Sequence, residues 1–113
     1  MYRNVPTLVV VGLLAMGVTM PAGSAADNAA LEKRGAALLT TNCIRCHAIG
    51  RSGASPHPAA PPFRTLSGRY PIDGLAEALA EGLSVGHPDM PEFKFEPGDI
   101  GAILAYLKSI QER

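Results

Sequence analysis

Cys43-Ile44-Arg45-Cys46-His47 contains both cysteines of the chain, and its C-x-x-C-H form reads as a covalent haem attachment site. Two thiols three residues apart can each add to one vinyl group of the porphyrin, and the imidazole that follows is then held where it can bind the iron from one side. The cofactor expected is one haem c held by two thioethers, with Cys43 and Cys46 attaching it and His47 as first axial ligand. A chain joined to a large flat cofactor in this way has to pack around it, so these five residues also decide the fold.

Other uses of a C-x-x-C pair fit the rest of the chain less well. A thioredoxin-like redox motif belongs beside a βαβ pattern, and no alternating or β-branched run supplies the strands. A zinc site needs four good ligands; His47, His57 and His87 could complete one on paper, but no second pair stands at ligand spacing. A plain structural disulfide remains open on the motif alone.

The first 25 residues have the order of a secretory signal. Arg3 and the amino terminus give a weakly positive head, Leu8 to Met20 an apolar run, and Pro21-Ala22-Gly23-Ser24-Ala25-Ala26 a helix breaker followed by small residues. The alternative is a retained anchor, but the run falls short of the ~20 residues a spanning helix needs. Cleavage is expected after Ala25 or Ala26, leaving a domain over 26–113. A domain so small usually depends on a cofactor, metal or disulfide for stability, so the haem-free polypeptide is expected to be largely unfolded. An oxidising compartment would pair the two thiols, so haem attachment there implies a cytochrome c maturation system as partner.

Charge says little about partners: ten basic residues balance ten acidic ones, and loss of Arg3 tips the balance slightly acidic. Nothing in the pattern suggests nucleic-acid binding, so a redox partner would be recognised through local patches.

Along the chain, Asp27 or Asn28 can cap a helix running to about Asn42, with Leu31, Gly35, Leu38 and Leu39 on one face. Glycine costs ~1 kcal/mol inside a helix relative to alanine, which for Gly35 suggests close approach of another helix. Residues 48–62 are rich in Gly, Ser and Pro and read as a loop. Its expected task is to wrap the His47 side of the haem and offer a carbonyl to the second imidazole nitrogen; His57 within it reads as a solvent-exposed loop residue. Pro71 to Gly82 reads as a short helix. An irregular, proline-flanked stretch follows, with Met90 the one methionine outside the leader. A thioether there can fill the iron's sixth position and raise the reduction potential relative to a second imidazole; His87 is the rival, and an open position the third reading. From Glu96-Pro97 onward, Ile100, Ile103, Leu104, Leu107 and Ile110 make the strongest amphipathic pattern, with Tyr106 or Ile103 expected against Gly35.

Taken together, these residues resemble a small bacterial class I c-type cytochrome, over essentially the whole of 26–113. Gly35 stands eight residues before Cys43, as that family's helix-crossing glycine does, while Leu39 takes a position usually aromatic. Ile103-Leu104-Ala105-Tyr106-Leu107-Lys108 is similar to its C-terminal helix and Met90-Pro91 with Phe93 to its methionine loop. Ala60-Pro61-Pro62-Phe63 resembles its proline segment, which implies that Pro61 supplies the carbonyl for His47. Gly68-Arg69 matches the pair near the haem propionates, which implies a cofactor-binding role for Arg69. The loop from Ile49 to Pro61 is longer and richer in proline than the pattern it resembles.

The resemblance implies an all-α cytochrome c fold of three to four helices, the N- and C-terminal ones crossing, packed around one haem. It implies His47/Met90 ligation and a periplasmic, monomeric carrier that passes single electrons between redox partner proteins. Such a carrier is no enzyme and, once the leader is removed, not bound to a membrane. The alternatives are a haem subunit or dedicated partner of a periplasmic oxidoreductase, and a haem gas sensor.

Overall fold

The computed structural model describes residues 23–82 and 88–113, together with Gly12 and Gly17. His87 and most of the leader reading fall outside the described residues, but the expected cleavage positions, Ala25 and Ala26, are described and open the first helix. Among the described residues, three α-helices, α1 (Ala25–Asn42), α2 (Leu75–Glu81) and α3 (Pro97–Ile110), occur with irregular chain and two short 3-10 helices, Phe63–Gly68 and Ile72–Gly74. There is no strand among the described residues. The expected all-α architecture is therefore the observed one, with the N- and C-terminal helices forming the main helix pair.

That pair closes at Gly35. A Cβ on Gly35 would overlap the Ala102 carbonyl and lie 2.9 Å from Tyr106 Cβ, so only hydrogen fits where α3 crosses α1. Tyr106 is there as the pattern suggested; Ile103 is not. Ala102 and Tyr106 are four apart and share one face of α3, whereas Ile103 is turned toward the core with Ile100, Leu107 and Ile110 and is 1 % exposed. The crossing needs a small residue whose backbone can approach, and the large one is better used inside. Arg34 and Asp99 pair across the same two helices, and Lys108 reaches Asp73 at 2.5 Å.

The start of α1 differs from the reading that Asp27 or Asn28 caps it. Ser24 is the cap: its hydroxyl accepts from Asp27 N–H, and the Asp27 carboxylate accepts from Ser24 N–H in return. This reciprocal arrangement satisfies two N–H groups that the first turn leaves unpaired, and it moves Asp27 from the cap to the third helical position. Leu31 shares the face of Gly35 and Leu39 yet is 40 % exposed. Helices that cross touch over a limited length, so a residue one turn before the crossing can point the same way and still meet water.

The remaining elements complete one core: Leu39 of α1, Phe63 and Leu66 of the first 3-10 helix, Ile72, Leu79 of α2, and the buried face of α3. The 71–82 segment divides into a 3-10 turn and α2, ending at Gly82 with φ +112°, a backbone region open to glycine. The 3-10 helix at Phe63–Gly68 had no sequence signal. It is held from outside itself: Gln111 Nε2 donates to Phe63 O, Ser67 N–H donates to Gln111 Oε1, and Glu112 N–H donates to Arg64 O.

Candidate haem site

α1 runs directly into the C-x-x-C-H motif. Cys43 N–H still bonds to Leu39 O at 2.8 Å, and the motif continues as a tight turn in which Cys46 and His47 N–H both donate to Cys43 O, at 3.1 and 2.9 Å. Helix propagation through Cys43 thus sets the direction in which both sulfurs and the imidazole leave the backbone. The two thiols are free and half-buried. Burial, with the neighbouring Cys46 sulfur adding, pushes the Cys43 thiol up to about 11. Such a pocket penalises a thiolate and accommodates neutral sulfur, which is the form a thioether takes.

His47 is buried, and its ring lies 4.5 Å from that of Phe63. Its Nδ1 is 2.8 Å from Pro61 O. A carbonyl can only accept, so the proton resides on Nδ1 and the lone pair on Nε2. Among the described residues Nε2 has no bonded partner, and no buried side-chain nitrogen or oxygen is left unsatisfied, so Nε2 opens onto accessible space. One imidazole with its lone pair exposed and two free sulfurs on the preceding turn make a set of residues that fits a covalently attached haem.

The Pro-rich loop is the wall behind this histidine. It is irregular, as its prolines require, but it is tied at many points. Ala48 N–H donates to Ser55 Oγ at 3.0 Å and Phe63 N–H to Ala48 O at 2.9 Å; Tyr106 OH donates to Ile49 O at 2.8 Å. Tyr106 therefore serves both the helix crossing and the loop, a connection that periodicity could not reveal. His57 departs from the expectation of a solvent-exposed residue: its side chain is 30 % exposed, and Nε2 lies 3.2 Å from Asp89 Oδ2. The proline-rich backbone brings it back over the motif, where its N–H donates to Cys46 O at 3.1 Å.

Met90 follows a turn at Pro88-Asp89 and is half-buried. It is not among the residues that form or flank the hydrophobic core. The chain beyond it is gripped by Phe95 N–H donating to Leu79 O at 2.9 Å, and by Glu92 packed over Gly82, where a Cβ would overlap its carboxylate. Arg69 ends the first 3-10 helix, exposed, and its guanidinium meets no carboxylate among the described residues. No group of three or more His, Cys, Asp or Glu side chains that could hold a metal ion by itself occurs among the described residues. Among the described residues no helix is long and apolar enough to cross a membrane.

No curated protein matches the chain. A family model does: Cytochrome c, over residues 32–111. That match spans most of the chain and takes in the helix crossing, the attachment motif and Met90, and with the all-helical fold it establishes that this protein belongs to the cytochrome c family.

Proposed function

We propose that this protein is an exported, single-haem electron carrier in which Cys43 and Cys46 hold haem c, and His47 and Met90 ligate its iron. Membership of the family makes it a haem protein of electron transfer; the ligand set, the export and the role as a free carrier are our reading. When bound, the haem supplies an iron that alternates between two oxidation states one electron apart.

The observation that carries the reading is the bond from His47 Nδ1 to Pro61 O at 2.8 Å. It selects the tautomer that can ligate, holds the ring at one orientation, and raises the basicity of Nε2. Phe63 against the ring limits rocking. On the other side, Met90 is half-buried without serving the core, which favours a ligand over a gap-filling methionine. Arg69, exposed and unpaired among the described residues, can meet an anionic propionate. His47 and Met90 would hold the iron from the chain itself, where the haem would supply one-electron chemistry without needing a ligand from solvent. Partners are redox proteins, the maturation system is the expected assembly partner, and the carrier is a periplasmic monomer.

The test is the visible spectrum of the exported protein, oxidised, reduced, and reduced under carbon monoxide. A weak red sulfur-to-iron band in the oxidised form, with no response to carbon monoxide, is the expected result. Absence of that band with a carbon monoxide shift would overturn Met90 and leave an open iron.

A further inference from the structure

The two loops that carry His47 and Met90 are tied to each other by a side chain that neither ligand provides. His57 sits in the Pro-rich loop, and its backbone N–H donates to Cys46 O at 3.1 Å, so its own position is referred to the attachment motif. Its ring reaches across 32 residues of sequence to Asp89, with Nε2 3.2 Å from Asp89 Oδ2. Asp89 directly precedes Met90.

The ring's tautomer follows from its other contact. Ala59 N–H donates to His57 Nδ1 at 3.1 Å, so Nδ1 is the acceptor, and a neutral ring carries its hydrogen on Nε2. That hydrogen points to the Asp89 carboxylate. The bond therefore exists without protonation of His57, and needs no change of charge to operate.

Met90 is anchored on its C-terminal side by Glu92 over Gly82 and by Phe95 to Leu79. The core does not hold Met90 itself. The His57 contact grips the segment on the other side of Met90, one residue away.

We propose that His57 is a positioning residue for Met90: through Asp89 it holds the methionine segment against the haem in register with the attachment motif. The proposal rests on the reading of Met90 as the second iron ligand. It assigns His57 no contact with the iron.

The experiment uses the ferric holoprotein with imidazole as competing ligand, followed by loss of the red sulfur-to-iron band. His57→Ala and Asp89→Ala are each expected to raise imidazole affinity by up to about fivefold, the scale of a partly exposed charged contact. The double variant is expected to show little more than either single one, because both remove the same bond. Asp89→Asn keeps an acceptor oxygen and is expected to stay near the parent protein. Covalent haem content is expected to be unchanged throughout. Parent affinity in both single variants, or fully additive effects in the double one, would overturn the role of His57. Met90→Ala separates the two failures: if that variant keeps the red band and the parent imidazole affinity, the Met90 ligation itself is wrong and His57 has no ligand to position.

Discussion

The two sides of the proposed haem site are built by different means. On the His47 side, a helix runs into the motif, a carbonyl receives the ring N–H, and Phe63 packs against the imidazole while itself buried in the core. On the Met90 side, the residue lies on irregular chain outside the core, and its neighbours, not its own packing, hold the segment. An element whose atoms belong to the core moves only if the core moves; a segment held at its flanks can leave with the rest of the fold intact. The first side is therefore expected to be coupled to folding and the second to ligand exchange.

The largest effect belongs to the attachment motif. Cys43→Ala combined with Cys46→Ala is expected to abolish covalent haem and cooperative folding together, read by haem content and far-UV circular dichroism. A folded, haem-free double variant would mean that the motif does not organise the chain.

Phe63→Ala removes the ring that both fills the core and braces His47, and is expected to cost about 3–5 kcal/mol, the range for buried aromatic truncation. Denaturant unfolding of the holoprotein measures it. A loss no greater than that of an exposed side chain would erase the contrast between the two sides.

Gly35→Ala sharpens the comparison by testing the crossing that supports the His47 side. The atom it would strike is the backbone carbonyl of Ala102, which cannot swing away as a side chain end would. The expected destabilisation is about 1–3 kcal/mol, as for overpacked cores, read as a lower unfolding midpoint. An unchanged midpoint would show that α1 and α3 can separate there without consequence.

The smallest effect on stability is expected at Met90. Met90→His should leave haem attached and the fold intact while lowering the reduction potential, since an imidazole favours oxidised iron more than a thioether does. Potentiometry decides it: a potential equal to that of the parent would remove Met90 from the iron.

Several parts of this molecule were legible from local pattern. The spacing of Ile100, Ile103, Leu107 and Ile110 announced α3 and its buried face, and Pro97 its first turn. Gly35, unfavourable in a helix, announced a close approach. The Ser24 cap lies among small residues that also read as a cleavage site, yet Ser24 with Asp27 three residues later is itself a capping signature. The Phe63–Gly68 3-10 helix was beyond such reading, because its stabilising partners, Gln111 and Glu112, lie more than forty residues away.

Read alone, the chain supplies two sulfurs and an imidazole at one spacing, helices at one periodicity, and a single methionine beyond residue 20. Those are properties of residue type and order, which survive in an unfolded chain. Tertiary contacts alone bring Ala102 rather than Ile103 to Gly35, Tyr106 to Ile49 O as well as to the crossing, and half-buried His57 to Asp89 at the surface. Each of these joins residues far apart in sequence, and such contacts depend on how the whole chain closes, for which no local pattern carries a signal.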